Sequence, residues 1–320
     1  MTQLHSPEYL INTLKESHKL EGVTLVLCFS RRWCVAPFFE VFKKLNFCCK
    51  LKKESFHLLI FDNSDNALLQ NELLAQLESF KEGWCSVRYY KTWRQGGQVI
   101  RGEINNDFYK SKIYPISEMQ HDIVNLVYTD KFIQLEDDEV PQNLNVIPKL
   151  LALLQLKGVG IASGVSCARS PIKAKCGMGV HQLVALENDR IIKRICCAPA
   201  CTGIREVQAT GFYCFATYTE IWRHALERAR KVASGLPHWA FDTWVTHQVY
   251  LAGHKILARF DCWCDHIQIM GAEVYRYNQK DAVLDCYIYI PELKVYAYWQ
   301  NSPAYGWVLD SISAQEVLVR

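Results

Sequence analysis

Long apolar runs are missing from this 320-residue chain. No stretch approaches the roughly 18 apolar residues that a transmembrane helix needs, so no integral membrane contact is expected. The opening MTQLHSPEYLINTLKESHKLEG also lacks the charged start, apolar middle and small-residue cleavage site of a secretory leader. It reads instead as a helix over residues 1–22, with Ser6 as N-cap, Pro7 at the first position and Leu10, Ile11 and Leu14 as the apolar face. The expected compartment is the cytoplasm, of a host cell if the source is viral.

Strong charge of one sign is missing too. The balance of 36 Lys and Arg against 33 Asp and Glu leaves +3, too little by itself to mark a nucleic-acid binder. Basic residues gather at Lys43, Lys44, Lys50, Lys52 and Lys53, and again at Arg223, Arg228, Arg230 and Lys231. The second group closes a helix, where cations offset the negative end of the macrodipole. Fourteen cysteines are present, but the paired CxxC spacing of a structural zinc site is not. Cys196, Cys197 and Cys201 with Cys262 and Cys264 give only CCxxxC and CxC. Buried reduced thiols fit Cys28, Cys167 and Cys214 inside apolar runs, with a metal on the cysteine cluster as the alternative. There is no internal repeat, low-complexity tract or flexible linker, which favours one compact unit.

Half of the residues are hydrophobic, enough for a substantial core, and their pattern is α/β. Strands are expected at Val23–Phe29, Phe56–Phe61, Ser86–Tyr90 and Lys131–Leu135, with helices between them carrying apolar Phe38, Phe39, Val41, Phe42 and Leu45, then Leu68, Leu69, Leu73, Leu74 and Leu77, then residues 117–127. Such alternation implies a doubly wound, mostly parallel sheet, whose ligands sit beyond the carboxyl ends of the strands. The second half is more mixed: a strand at Val159–Ser163, a strand or hairpin at Gln182–Arg194, and helices at Tyr218–Ala233 and Trp239–Ala252, the latter ending at Gly253. From Ala282 onward the pattern is β, rich in Tyr and Trp.

The acidic run Glu136-Asp137-Asp138-Glu139 follows the fourth strand directly. On an extended backbone Glu136 and Asp138 share a side, and two converging carboxylates call for a cation. Oxygen ligands suit Mg²⁺ or Mn²⁺, which leave positions for substrate phosphates. A solvated turn is the competing reading.

LEDDEVP resembles the metal-binding DxD signature of GT-A glycosyltransferases, particularly glycosyltransferase family 2. The resemblance implies that Asp138 ligates the metal, that Glu136 faces the donor ribose and that Asp137 belongs with the donor contacts. Glu136 stands where that family has Asp. VTLVLCFSRR resembles the family's first strand and base-contacting turn, which implies Ser30 and Arg31 as donor contacts. LLIFDNSD is similar to the second strand with its terminal acid, implying that Asp62 recognises uracil. Gly96 and Arg101 match the family's glycine-to-arginine segment, with Arg101 toward the donor, although Gly102 replaces the usual Asn. Gly211-Phe-Tyr-Cys-Phe-Ala216 resembles the acceptor-side strand and loop. His238-Trp-Ala-Phe-Asp242 sits where the family carries its catalytic acid, so Asp242 would be the general base, a role compatible with capping its helix. Gly253–Asp261 looks like a glycine, strand and polar turn, after which His266 supplies a second metal ligand or is a histidine held by Asp265.

The resemblance covers residues 23–270 and divides them into a nucleotide-binding half (23–141) and an acceptor half (142–270), with 271–320 as a β-rich extension. It implies a GT-A glycosyltransferase that uses Mn²⁺ or Mg²⁺ and a nucleotide-sugar donor, a UDP-sugar, and inverts the anomeric centre, with retention as the alternative because GT-A folds host both outcomes. The acceptor is open among a glycan, a protein and a hydroxylated DNA base of a bacteriophage. A nucleotidyltransferase is the rival enzyme class, but Ser30-Arg31-Arg32-Trp33-Cys34 lacks the glycine-rich loop such enzymes carry. A non-catalytic nucleotide- or cation-binding module is the third reading.

Overall fold

A computed structural model describes residues 20–44, 56–64, 67–78, 84–92, 118–142, 145–166, 183–187, 190–195, 203–232, 241–270, 273–277, 286–290, 295–302 and 306–313. Arg101, Gly96, His238 and the Cys196–Cys201 cluster lie outside the described residues, as do residues 1–19 of the expected N-terminal helix. Residues 20–22 of that helix are strand instead.

Four strands form a parallel block: β1 (Leu20–Phe29), β2 (Phe56–Asp62), β3 (Ser86–Lys91) and β4 (Thr129–Glu136), in the order β3-β2-β1-β4. The near-continuous apolar runs of β1 and β2 reflect burial on both faces, as parallel sheets demand, whereas edge strand β3 (SVRYYK) is only half-buried. Alternation then sorts the side chains. Val23, Leu25, Leu27 and Phe29 of β1 pack with Phe38, Phe39 and Phe42 of α1 (Arg32–Lys44), with Leu69, Leu73 and Leu77 of α2 (Ala67–Glu78) and with α4 (Val146–Leu154). On the other face Val26, Leu59, Phe61 and Phe132 meet α3 (118–126), α5 (Thr219–Val232) and α6 (Phe241–Leu251). The result is a helix–sheet–helix sandwich.

The Phe29 ring meets Phe38 at 5.3 Å and Phe39 at 5.6 Å, while Phe38 meets Phe42 at 5.5 Å. Each buried ring contributes about 1.5–3 kcal/mol by leaving water. This knot pins the start of α1 over the carboxyl end of β1, which matters for the site.

The second half extends the same sheet. Next to β4 lies β10 (Cys214–Tyr218), antiparallel to it, followed by β6 (Val159–Ser166) and β11 (Lys255–Met270). Short strands β5 (Glu139–Pro141), β9 (Ile204–Val207) and β12 (Glu273–Tyr277) add to β11, giving ten strands in the sheet. The polar turn expected at Asp261 is not a turn. Residues 255–270 form one strand, whose pairing with β6 breaks register between Ala258 and Trp263. That irregularity lets one strand serve β6 and β9 first, then β5 and β12.

The turn after α6 is specified by Gly253, at φ 87°. Gly253 N–H reaches Tyr250 O and His254 N–H reaches Val249 O, at 2.9 and 3.3 Å, which is a Schellman cap. A hairpin of β7 (Leu183–Glu187) and β8 (Arg190–Ile195) and a separate antiparallel sheet of β13 (Cys286–Ile290), β14 (Val295–Ser302) and β15 (Gly306–Ser313) complete the described strands. No described helix is long and apolar enough to cross a membrane.

Candidate functional site

Because β1 and β4 are parallel neighbours with Cys28 opposite Glu136, both chains leave the sheet at the same edge. Residues 137 and 138 form a turn joining β4 to β5. The extended-backbone reading, with Glu136 and Asp138 on one side, is therefore corrected: a two-residue turn abolishes the period of two, and Asp137 and Asp138 converge instead.

They converge on Arg31. Asp137 Oδ2 accepts the backbone N–H of Ser30 and of Arg31, both at 2.8 Å, and the Ser30 hydroxyl at 3.3 Å. Arg31 Nη1 lies 2.5 Å from Asp137 Oδ1 and 2.8 Å from Asp138 Oδ2. Both aspartates are buried, whereas Arg31 keeps some exposure. The first turn of α1 contains no acid of its own, so Asp137 supplies the negative charge that its N-terminus favours. Burial pushes the Asp137 carboxyl up, as does Asp138, against the opposing pull of Arg31 and the two N–H groups. Burial alone would lower Arg31, but Asp137 and Asp138 outweigh it and hold the guanidinium charged.

Asp62 ends β2 opposite Phe29 and is fully enclosed. Its Oδ1 accepts Ser64 N–H at 2.8 Å and the Ser64 hydroxyl at 2.7 Å; its Oδ2 accepts the Tyr89 phenol at 2.6 Å and Lys91 Nζ at 3.0 Å. Asp62 thus ties the ends of β2 and β3 together. A base contact through it would require Tyr89 or Lys91 to give way, which the sequence did not disclose.

Asp242 lies in the first turn of α6, partly exposed. Three hydrogen bonds hold that helix against residues 208–210. The Thr246 hydroxyl donates to Thr210 O at 2.8 Å and accepts Thr210 N–H at 2.9 Å, and His247 Nδ1 lies 3.0 Å from Gln208 O. Gly211 follows, and a side chain there would run into the Tyr213 ring and the Asp242 carboxylate. Tyr213 then links this region to the acidic run: its carbonyl accepts Glu136 N–H at 3.3 Å. Its buried phenol is pushed well above the usual tyrosine range by burial first, with Glu139 and Asp242 adding to the rise and Thr210 opposing it. Glu139 and Asp242 therefore share one electrostatic neighbourhood. Glu139 is itself buried and accepts the Ser166 hydroxyl.

His266 is brought to the same edge by β11, where its backbone pairs with Glu139 on one side and Tyr277 on the other. Neighbouring Asp265 accepts the Gln142 side-chain amide. Glu139 closes the acidic run, and Gly211 and Tyr213 belong to the acceptor-side motif, but the sequence assigned none of them an individual role, and it did not point to Ser166 at all.

Among the described side chains no three His, Cys, Asp or Glu form a metal cage. The donor set still fits a hard divalent ion of the kind that binds one or two carboxylates and fills its shell with substrate phosphates. Asp137 and Asp138 are buried oxygen donors already neutralised by a cation, beside a helix N-terminus that favours phosphate.

No family model matches the chain, and no curated protein matches it. Solved structures do. GalNAc-T7 with UDP, GalNAc and Mn²⁺ superposes with a TM-score of 0.53 at 13% identity, over 79% of this chain and 44% of that one. A Pyrobaculum calidifontis mannosyltransferase with GDP-Man and Mn²⁺ gives 0.46 at 10% identity, over 82% and 64%. S. aureus TarS gives 0.43 at 9% identity, over 81% and 61%. This chain spans under half the length of the GalNAc-T7 chain and under two thirds of the other two. The likeness to GalNAc-T7 bears out the GT-A fold expected from sequence.

Proposed function

We propose that this chain is a divalent-metal-dependent glycosyltransferase that moves a sugar from a nucleotide-sugar donor, a UDP-sugar, to a hydroxyl acceptor with inversion. One observation carries the reading: buried Asp137 and Asp138 end a parallel-sheet strand against a guanidinium and a helix N-terminus, with Asp242 folded back beside Tyr213, which contacts the same acidic run. The GalNAc-T7 structure holds UDP, GalNAc and Mn²⁺, which supports a nucleotide-sugar donor here.

Asp138 would hold Mn²⁺ or Mg²⁺, with His266 as a second ligand. A divalent ion there would neutralise charge developing on the leaving diphosphate. Ser30, Arg31, Asp137 and Glu136 line the donor side in this reading, with Glu136 toward the ribose, Asp62 toward the base and Arg101 toward the donor. Asp242 would take the proton of the attacking hydroxyl, on the face of the sugar opposite the leaving group. The parallel block then serves the nucleotide and the mixed half the acceptor: a glycan, a protein or a modified DNA base. Residues 271–320 would be an appended β-rich unit, and the cytoplasm the compartment.

The test is a panel of nucleotide sugars with Mn²⁺, read by mass spectrometry. Release of a free nucleoside diphosphate with a sugar on the acceptor or on water is expected. Asp242→Asn should cut turnover by about 10² to 10⁴ while donor binding holds. Pyrophosphate release would mark a nucleotidyltransferase, and binding without turnover a non-catalytic module; either result overturns the proposal.

A further inference from the structure

Arg31 was expected to meet the nucleotide base, but its guanidinium is spent on the acidic pair. A single nitrogen, Nη1, reaches both Asp137 at 2.5 Å and Asp138 at 2.8 Å. Two buried carboxylates this close cannot both stay charged without a positive partner. Arginine is the side chain that supplies one without losing its proton. The contact with Asp137 is anchored beyond the guanidinium, because Asp137 also binds the backbone N–H of Ser30 and of Arg31 itself. Asp138 meets the guanidinium through the same nitrogen, and about a quarter of the Arg31 side chain (23%) remains exposed. A divalent ion on an Asp138 oxygen would sit about 2.1 Å from it, and a guanidinium on the same carboxylate would then face a like charge.

We infer that Arg31 is the resident counter-ion of Asp138 in the metal-free chain, and that it becomes a ligand of the donor diphosphate once a divalent ion takes Asp138. The inference rests on the donor reading above. Its logic is an exchange of partners. Asp137 and the start of α1 keep Arg31 at the strand edge, so displacement from Asp138 leaves a charged fork facing the place where the diphosphate meets the metal. Arginine forks bind phosphate oxygens in charge-assisted pairs. The same residue therefore weakens binding of the bare metal and strengthens binding of the nucleotide.

Those opposite signs make the test. Mn²⁺ binding to nucleotide-free protein is read by electron paramagnetic resonance, and UDP binding at saturating Mn²⁺ by calorimetry. Arg31→Gln should bind Mn²⁺ about tenfold more tightly and UDP about tenfold more weakly, the scale of one charged partner gained or lost. Arg31→Lys, which keeps a charge but cannot fork, should move both in the same directions by less, and carries the test if the Gln variant does not fold. A fall in both affinities, or unchanged Mn²⁺ binding, overturns the inference while leaving the donor reading intact. Wild-type protein that binds UDP without any gain from Mn²⁺ sinks the metal reading itself, and this inference with it.

Discussion

Gly211 leaves no room for a side chain beside Asp242: a Cβ at Gly211 would stand 3.2 Å from Asp242 Oδ2, and 2.6 and 2.7 Å from Cε1 and Cδ1 of Tyr213. The φ of Gly211 lies outside the left-handed region, so glycine is required here by space and not by backbone conformation. Any side chain must push the Tyr213 ring or shift the proposed base. Gly211→Ala should therefore cost about 1–3 kcal/mol of stability, as overpacking does. It should also lower kcat about 10- to 100-fold with UDP affinity unchanged, since small misplacements of reacting groups carry that penalty. Kinetics beside a denaturant titration check this, and wild-type turnover in the Ala variant would show that Asp242 does not depend on the contact.

The two aspartates of the turn should separate by what their loss does. Asp137 binds two backbone N–H groups and the guanidinium that opens α1. Asp137→Asn removes the charge that Arg31 is buried against and should destabilise the chain by about 3 kcal/mol. Asp138→Asn leaves those backbone bonds in place, so it should keep the fold and abolish transfer. Urea melts and turnover of the two variants decide the matter. Equal stability losses would mean that Asp138 is as structural as Asp137.

A third prediction concerns the tie at the end of β2. Asp62 receives four hydrogen bonds, from Ser64 N–H, the Ser64 hydroxyl, Tyr89 and Lys91. Lys91 is about a third exposed, which screens its share. Asp62→Asn should still cost about 2–3 kcal/mol, and Tyr89→Phe about 1, measured by chemical denaturation. If a nucleotide base also draws on Asp62, UDP will bind more tightly than CDP in the wild type with Mn²⁺ present, because only uracil offers an imide proton. Equal affinities would leave Asp62 as a strand tie alone.

Much of the frame could be read from the chain because it is encoded locally. The runs at 23–29, 56–61 and 131–135 are mostly apolar and bury side chains on both faces, which suits a covered parallel sheet, and Gly253 ends α6 where a left-handed residue is needed. What stayed hidden depends on partners distant in sequence. Whether residues 137 and 138 extend or turn is decided by Arg31, more than a hundred positions earlier. Asp62 reads as an open strand-end acid until Tyr89 and Lys91 arrive from β3. The polar Asp261 suggested a turn, yet it lies within β11, between the segment that pairs with β9 and the one that pairs with β5, and there Arg259 first and then Lys149 hold its carboxyl down at about 2.

The last prediction follows from groups that the fold keeps neutral. Burial pushes up the thiols of Cys28, of Cys262 (to about 12) and of Cys264, where a hydrogen bond to Cys214 leads. Burial likewise raises the phenols of Tyr89, helped by Asp62, and of Tyr213. In the unfolded chain thiols ionise near 9 and phenols near 10. Each group is protonated in both states below those values, so its contribution is fully present there. Above them the unfolded chain releases the proton while the folded chain retains it, and stability falls until the raised folded value is passed. The slope is about 1.4 kcal/mol per pH unit for each group held back. The melting temperature should thus be level from pH 7 to 8.5 and fall with increasing steepness from 9 to 11. Tyr213→Phe removes one such group, so its curve should be shallower than wild type above pH 10, even if it melts slightly lower at neutral pH. Parallel curves for the two proteins would show that the Tyr213 phenol is not held neutral by the fold, and that its environment between Glu139 and Asp242 is more open than the packing around Gly211 implies.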